Sequence, residues 1–381
     1  MKLFRFEHEA ELLEVGLGPA GAPGSSSTNG RLLNSILRRA AVVSNVGDGL
    51  ARDVARLYLA ALRETRAAIL RSEAGGYGAG TFAQELRAER VRAMLAELEP
   101  VVERLGAGVR AEFRSTLEAL YRAEHETGLA LVRGALPESI AGRITLYRPP
   151  LGALEVGNVE VMGQSLDRWG RRASAWLLDD LAREINLGNL QGDDMRQLTR
   201  RAGRVFDVSA RAARDTARTA VQTVSNEANA RLFQANRGLI RGVEHQSVFD
   251  KRTCPVCAGL DGKTYSFEGS PSYESRPRLP VHMNCRCVYV PVTVSWRELG
   301  IPIDEVPRGD RASMDGQVAG STDFPSWLRS QPASVADEIL GRGRAELWRS
   351  GQYELSDFIR DRTYRPVPLR ELRARLERAT G

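Results

Sequence analysis

The sequence predicts a mainly α protein, formally α+β, with long helices, a helical arm and one small β-hairpin module. Apolar residues recur at three- and four-residue steps through most of the 381 residues, which is the period of amphipathic helices. From Gly242 the pattern changes to the alternation typical of short strands. All four cysteines and one of the four histidines lie between residues 254 and 287, which predicts that a metal ion staples the hairpins together.

Residues 1–30 are predicted to form a flexible N-terminal tail. The Gly-, Pro- and Ser-rich stretch 16–30 has too little apolar surface to offset the entropy of ordering it. The first fifteen residues are more apolar, so both a docking tail that orders on a partner and a frayed terminus remain open. The start of the chain lacks the apolar core of a signal peptide.

Residues 31–150 are predicted to form a helical arm or bundle of three consecutive amphipathic helices. Their apolar stripes run from Leu50 to Ile69, from Val91 to Leu105 and from Val109 to Tyr121. A glycine-rich stretch, 75–80, separates the first two stripes, and Pro100 predicts a kink or a fresh helix start. Two consecutive prolines, at positions 149 and 150, predict a domain boundary there.

Residues 151–296 are predicted to form a second domain. An apolar stripe from Leu166 to Ile185 indicates a helix, and its two tryptophans, at positions 169 and 176, are interpreted as core. A helix capped by Asp194 should end near Phe206, and another should run from Ser209 to Ala235, capped by Asp207 or Ser209. About three short strands are expected in 242–294, with turns at Cys254–Cys257 and at 261–262. Residues 297–381 are predicted to be a C-terminal helical extension that follows a Pro-rich passage, 300–325.

The five candidate metal ligands have the spacing C-x2-C, then 24 residues, then H-x2-C-x-C. Such spacing turns each group of ligands toward one point, and zinc is the ion expected from sulfur and imidazole donors. Five candidates compete for four places. The favoured ligands are Cys254, Cys257, His282 and Cys285, with Cys287 as a substitute for Cys285. Two disulfides or free thiols are the alternative, and disulfides need an oxidising compartment.

A structural zinc ion is favoured over a catalytic one. The sequence lacks the H-x-E motif of zinc deaminases and the H-E-x-x-H motif of zinc proteases. A ββα-metal nuclease needs further histidines for a catalytic ion, and His245 is the remaining one nearby. Four sulfur or imidazole ligands also fill the coordination sphere of zinc and leave no position for water. We therefore expect no enzymatic activity.

The basic composition favours genome bias over a dedicated nucleic-acid surface. The formal net charge is +6, and three of the 54 basic residues are lysines, so 51 are arginines. The 48 acidic residues are interleaved with the arginines along the predicted helices, which is typical of solvated faces. Any contact with DNA should therefore be weak, independent of sequence and lost at moderate salt. No apolar run is long enough to predict a membrane span, and neither a membrane nor a small-molecule substrate is expected as a partner.

Two groups of motifs resemble the phage head morphogenesis proteins, the minor head proteins similar to protein F of phage Mu. The first group covers about 130 residues and comprises Arg218-Thr219, Asn229-Ala230-Arg231, Asp250-x-Arg252-Thr253-Cys254-Pro255-x-Cys257, Leu260-Asp261-Gly262-Lys263-x-Tyr265 and Pro280-x-His282-x-Asn284-Cys285-Arg286-Cys287-x3-Pro291. The second comprises Phe324–Pro332, Asp337–Arg344, Trp348–Gly351, Leu355–Ile359 and Leu369–Leu372. The chain departs from the family pattern at Met283, where proline is usual, and at Phe249, where tryptophan is usual.

The resemblance implies a structural role in head morphogenesis, without enzymatic activity. It implies a protein of low copy number in the virion, assembled in the host cytoplasm, that meets the portal or the scaffold and affects DNA packaging or ejection. The broad apolar stripes of the predicted arm indicate an interaction surface, so residues 31–135 are expected to dock on the portal or neighbouring head proteins, with the 242–294 module facing away. The alternatives are a zinc-knuckle module that binds or cleaves DNA and an adaptor with no role in the virion.

Overall fold

The computed structural model describes residues 28–71, 82–137, 141–150, 152, 154–300, 310–360 and 363–380. This part of the chain is mainly helical with small antiparallel sheets, which confirms the predicted fold class at that level. The predicted tail, apart from residues 28–30, and the predicted glycine-rich break at 75–80 lie outside the described residues. No helix in the described part of the chain is long and apolar enough to cross a membrane.

The helices and strands are numbered in chain order. The helices are α1 (Thr28–Arg71), α2 (Phe82–Ala135), α3 (Leu166–Leu190), α4 (Met195–Ala235), α5 (Pro255–Leu260), α6 (Phe324–Ser330), α7 (Ala333–Leu340), α8 (Arg342–Arg349) and α9 (Leu369–Thr380). The strands are β1 (Glu160–Val161), β2 (Gln164–Ser165), β3 (Ile240–Gln246), β4 (Thr264–Ser266), β5 (Val288–Thr293), β6 (Asp310–Ser313) and β7 (Gly316–Ala319). Short 3-10 helices cover Val156–Asn158, Tyr273–Ser275 and Leu355–Phe358.

The chain divides into two compact units. The first comprises residues up to 43, 121–152 and 225–381, and the second comprises 44–120 and 153–224. Both units are discontinuous in sequence, because α1, α2 and α4 each contribute residues to both. The predicted domains, continuous segments with ends at residues 30, 150 and 296, remain a prediction.

Helix α1 begins earlier than the sequence predicts. Residues 28–30, assigned to the flexible tail, form its first turn. The Asn29 side chain accepts hydrogen bonds from the backbone N–H of Thr293, at 3.1 Å, and from its hydroxyl, at 3.0 Å. Leu32 and Leu33 on the next turn are buried. Contacts with β5 and a buried apolar face therefore order residues that have poor helix propensity by themselves.

The structure shows neither a fresh helix start at Pro100, one of the two outcomes predicted there, nor the predicted break between Phe206 and Ser209. Pro100 lies inside α2, where a proline costs about 3 kcal/mol through its missing N–H and ring clash. Buried Leu98 and Val101 on either side supply the packing that offsets this cost. Helix α4 likewise runs without interruption past Asp207 and Ser209, so neither residue caps a helix. The buried side chain of Phe206 packs edge-on against Tyr58, with ring centroids 6.4 Å apart, and fixes this part of α4 in the core.

Two further predictions concern the cap at the start of α4 and the burial of the two tryptophans of α3. Asp194 caps α4 as predicted: its carboxylate accepts from Gln197 N at 2.7 Å, and Gln197 Oε1 accepts from Asp194 N at 2.6 Å. Trp169 is half-buried and stacks on Phe113 at 5.8 Å, in agreement with a core role. Trp176 is 60% exposed, so its assignment to the core is wrong.

The first unit contains the predicted three-stranded sheet. Strand order is β4-β3-β5, all antiparallel, with Val243 of β3 opposite both Tyr265 and Pro291. Strand β5 lies at the edge of the sheet, a position that tolerates a proline without a lost ladder bond. One hydrophobic core joins this sheet to the helices, and it includes Leu32, Leu33 and Ile36 of α1, Leu129 and Val132 of α2, Leu232 and Phe233 of α4, and the buried cysteines. The 242–294 module therefore shares its core with parts of the predicted arm.

A second core lies in the C-terminal part of the first unit. Phe249 stacks on Trp327 at 5.3 Å and packs edge-on against Phe324 at 5.4 Å. The hairpin β6-β7, which the sequence did not predict, joins this core where Met314 N donates to Phe249 O at 2.9 Å. The C-terminal extension is thus helical as expected but begins with a hairpin.

A buried ion pair joins the hairpin, the sheet and the C-terminal helices. The Asp261 carboxylate accepts from Ser247 N at 2.7 Å, from Phe324 N at 3.1 Å and from both terminal nitrogens of Arg311, at 2.8 and 3.1 Å. The side chains of Arg311 and Asp261 are 2% and 0% exposed. Arg311 also donates to Ser247 O at 2.6 Å, and its guanidinium carbon lies 3.6 Å from the ring centroid of Phe249.

We predict that Arg311→Met lowers the free energy of unfolding by about 3 to 5 kcal/mol, because Asp261 is left buried without its counter-charge. Urea unfolding measures the loss. The matched control is Arg349→Met, whose ion pair with Asp337 has side chains 36% and 32% exposed. That substitution should cost no more than about 1 kcal/mol. Equal losses in the two variants would contradict the role given to the buried pair.

Candidate metal centre

The first two candidate ligands lie at the start of α5. The sequence predicts a turn here, whereas the structure shows a short helix with Cys254 at its N-cap and Pro255 at its first position. Cys254 has extended backbone dihedrals, and its sulfur accepts a hydrogen bond from Cys257 N at 3.5 Å. Proline suits the first helical position because that residue needs no N–H donor there. Both sulfurs are thereby directed to the same side of the helix N-terminus.

The remaining candidates lie on the loop that leads into β5. Cys285 N donates to His282 O at 3.1 Å and closes a tight turn around Met283 and Asn284. Asn284 has φ of 59°, a left-handed conformation that asparagine adopts more readily than most residues. The turn brings the imidazole and the Cys285 sulfur toward the same point, and Cys287 follows just before β5.

The ligand atoms of the two segments lie at distances suited to one metal ion. His282 Nε2 is 3.2 Å from the Cys254 sulfur and 3.1 Å from the Cys257 sulfur, and the Cys257 and Cys285 sulfurs are 3.9 Å apart. Around a tetrahedral zinc ion, two sulfurs lie about 3.8 Å apart and a sulfur and a nitrogen about 3.6 Å apart. The cluster can therefore hold a metal ion with small adjustments of the side chains.

Two overlapping triads contain all five candidates. Cys254, Cys257 and His282 form one, and Cys257, Cys285 and Cys287 form the other. Cys257 belongs to both, so it is the ligand least open to replacement. Cys287 also donates to the Ser247 hydroxyl at 3.7 Å. The structure brings every predicted ligand together, and the choice of Cys254, Cys257, His282 and Cys285 as the four remains a prediction.

The imidazole is oriented for binding through Nε2. His282 Nδ1 lies 2.8 Å from Met283 O, and a carbonyl oxygen accepts, so Nδ1 carries the proton and donates. Nε2 then faces the two sulfurs, and its lone pair becomes available to a metal ion when the Nε2 proton is displaced. A backbone carbonyl that holds the second ring nitrogen is a usual arrangement for metal-binding histidines.

The electrostatics of the cluster favour deprotonated sulfur. The pKa of Cys254 is lowered to about 4. The largest cause is a hydrogen bond from Cys257, and His282 lowers the pKa further, whereas burial raises it. The pKa of Cys285 is also lowered well below its ordinary value, first by a hydrogen bond from Cys257. Hydrogen bonds with Cys254 and Cys285 raise the pKa of His282 to about 11. Two thiolates are thus stabilised by neighbouring donors, and a bound cation would take the place of those protons.

A second ion pair clamps the two ligand segments together. Arg286, between the second pair of cysteines, donates to both carboxylate oxygens of Asp250, at 2.6 and 2.7 Å. Asp250 precedes the first pair and also accepts from Arg252 N at 2.9 Å. Bidentate pairing of this kind fixes orientation as well as distance. Sequence reasoning gave neither residue a role, although both lie within the motifs, because the spacing of 36 residues carries no signal of contact.

The remaining histidine of this region is unsuited to a catalytic site. His245 on β3 is fully buried, and neither ring nitrogen has a hydrogen-bond partner in the described part of the chain. Burial lowers the pKa of His245 to about 4, so the ring is neutral near pH 7. Among the described residues, both groups of three potential metal ligands belong to the cysteine cluster. These observations give no support to a second, nuclease-type metal site.

We predict that the contribution of Asp250 to stability is complete near neutral pH and disappears in acid. Burial alone raises the pKa of Asp250, but the hydrogen bonds and charge of Arg286 outweigh it and bring the pKa below its ordinary value of 3.8. A depressed folded-state pKa stabilises the fold above the unfolded pKa, and the effect is lost as the pH falls through the folded value. The difference in unfolding free energy between wild type and Asp250→Asn should therefore be constant from about pH 7 to 5 and shrink below about pH 4.

The control for this prediction is the same substitution in an Arg286→Gln background. Without the guanidinium, the pKa of Asp250 is no longer depressed by its partner, so the acid-dependent part of the difference should largely vanish. In each background the measured quantity is the difference in unfolding free energy between the protein with Asp250 and the protein with Asp250→Asn. Metal release that is the same in both proteins cancels in this difference. A pH dependence that is unchanged in the Arg286→Gln background would contradict the assignment of the clamp.

Comparison with protein families agrees with the motifs. Residues 179–290, which include all of α4, the sheet up to the middle of β5 and all five candidate ligands, match the family model described as phage Mu protein F like protein. No curated protein and no solved structure matches the chain. The resemblance to the phage Mu protein F like family is therefore confirmed over residues 179–290.

Proposed function

We propose that this chain is a phage minor head protein with a structural, non-enzymatic role in head morphogenesis. The observation that carries the proposal is the family match over 179–290, the segment that contains α4 and all five candidate metal ligands. The finer part of the proposal is a place at the portal vertex of the virion, where the protein influences DNA packaging or ejection. Its partners are then the portal protein and other head or scaffold proteins.

The proposed cofactor is one structural zinc ion. Three sulfurs and one imidazole nitrogen form a soft donor set that suits zinc and fills its four positions. The cluster is largely buried, since Cys257, Cys285 and Cys287 are all below 4% exposed. A filled and buried coordination sphere leaves no position for a reacting water molecule, which supports a structural role.

Zinc should bind at one ion per chain in reduced protein, measured by metal analysis. Cys257→Ser should abolish binding, because the Cys257 sulfur belongs to both triads. Cys285→Ser should lower the affinity more than Cys287→Ser if Cys285 is the fourth ligand. The reverse order would assign Cys287 instead, and metal-free wild-type protein with an intact sheet would contradict the proposed cofactor.

The shared core changes the expected effect of metal loss. Because Leu32 and Leu129 pack in the same core as the buried cysteines, loss of the metal should loosen the adjoining turns of α1 and α2 as well as residues 242–294. The second unit has its own contacts and should stay helical. Hydrogen exchange of the cysteine variants distinguishes local from shared loosening.

The portal contact is proposed to lie on the helical arm, residues 31–135. Deletion of the arm is a poor test, because it would remove part of the core that supports the sheet. Leu59 and Leu70 of α1 are 47% and 48% exposed, so they can be changed without opening that core. Large apolar side chains in solvent are candidate contact points with a partner.

The full-length chain should be present in purified phage heads and should co-purify with the co-expressed portal protein. Leu59→Glu with Leu70→Glu should reduce co-purification at least tenfold, because two charges would be buried in the contact. Met283→Glu, at a side chain 37% exposed on the metal loop, is the matched control and should have no effect. If only the Met283→Glu variant fails to co-purify with the portal protein, the contact is assigned to the 242–294 module instead of the arm.

A further inference from the structure

The outer face of α4 carries a row of exposed arginines. Arg196, Arg200, Arg204 and Arg211 are all exposed. At 3.6 residues per turn their directions fall within an arc of about 80°, and at 1.5 Å per residue the row is about 23 Å long. These four residues are called the α4 arginine row. Such a row places four positive charges along one face of a rigid element.

The arginines of the row differ from neighbouring arginines in their lack of acidic partners. None of the four makes an ion pair with any residue that the structure describes. By contrast, Arg201 on the same helix pairs with Asp193 and Glu184, and Arg218 pairs with Asp48 at 2.6 Å.

Asp207 is the exposed carboxylate that lies within the same arc of the helix. Four arginines and one aspartate leave this face with a net charge of about +3 at pH 7. Holding these like charges side by side costs some helix stability. An anionic partner would remove that cost.

We propose that the α4 arginine row binds the phosphate backbone of double-stranded DNA. Duplex DNA carries one phosphate charge per about 1.7 Å of its helix axis, so a row of about 23 Å faces a densely charged stretch of backbone. Guanidinium groups bind phosphate oxygens through paired, charge-assisted hydrogen bonds. Contacts of this kind carry no base information, so binding should be independent of sequence.

An acidic protein is the competing partner for such a row. Protein interfaces usually have an apolar or aromatic centre, whereas DNA interfaces are more polar and much more positive. Val208, 67% exposed, is the one large apolar side chain among the exposed residues 196–211 of α4. The chemistry of the row therefore favours phosphate. This inference adds a ligand to the proposed head role but does not depend on it, because binding is measured with isolated protein.

The test compares two quadruple variants of the full-length protein. The first replaces the row, with R196Q, R200Q, R204Q and R211Q. The second, R56Q, R71Q, R104Q and R183Q, removes four arginines that are equally exposed but paired with Asp53, Glu97, Glu64 and Asp180. Both variants lose the same formal charge, so a general effect of net charge is identical in the two.

Binding is measured by fluorescence anisotropy with a labelled 30-base-pair duplex of mixed sequence, between 50 and 200 mM salt. Each phosphate contact contributes about −0.9 to the slope of log affinity against log salt. Loss of four contacts should therefore make the slope of the row variant less negative by about 3 to 4. Its affinity at 50 mM salt should fall at least tenfold. The control variant should retain the wild-type slope.

Several results would overturn the proposal. Failure of the wild-type protein to bind the duplex at 50 mM salt would contradict the proposal. Equal losses of DNA affinity in the two variants, or an affinity that depends on the DNA sequence, would also contradict it. Poly-glutamate of matched charge, used as a competitor, displaces the duplex at equal concentration if the true partner is an acidic protein. If circular dichroism shows that the row variant is unfolded, R196Q with R204Q replaces it, with an expected slope change of about 2.

Discussion

The buried carboxylate of Asp261 is the group on which the first unit depends. Removing a carboxylate from water costs several kcal/mol, and the cost is offset only when its lone pairs are filled and a counter-charge is close. Asp261 meets this condition with donors from three places in the chain, the end of β3 at Ser247, the start of α6 at Phe324 and the hairpin residue Arg311. Correct placement of the carboxylate therefore requires that all three segments be folded. Ser247 also contacts α5, because its hydroxyl donates a hydrogen bond to Cys257 O at 2.6 Å.

The metal centre lies within this framework and does not carry the fold alone. A three-stranded sheet by itself is marginal in water, but here helices α1, α2 and α4 cover it and share its core. The two ligand segments are also joined by the pair of Asp250 and Arg286. A metal ion bound by the cluster would contribute mainly by fixing two loops to each other at one point.

The sequence predicted the types of the elements and the closeness of the five cysteine and histidine residues better than the ends of the elements. Apolar periodicity reports burial, and burial decided the outcome where Pro100 and Asp207 suggested breaks, because local breaking costs are smaller than the packing of long helices. Ligand spacing predicted the cysteine cluster because all five residues lie in two short segments, the start of α5 and the loop before β5, where sequence separation fixes distance. Arg311 was missed because its contact with Asp261 spans 50 residues and no periodic pattern marks it. The choice between Cys285 and Cys287 also escapes the sequence, since both sulfurs lie within reach of Cys257.

Arginine content alone does not identify a partner, because arginine side chains make different kinds of contact at different positions. Arg39 forms a buried ion pair with Glu124 at 2.7 Å, and Arg276 lies over the ring of Tyr273 at 3.5 Å. Arg311 neutralises a buried carboxylate. In each case the positive charge is already satisfied inside the protein, so it adds to the net charge without adding an attractive surface. The α4 arginine row is different, since its guanidinium groups face solvent without a described acidic partner. A charge that is unpaired, regularly spaced and fixed on a long helix is the form in which arginine attracts a polyanion, whatever the origin of the compositional bias.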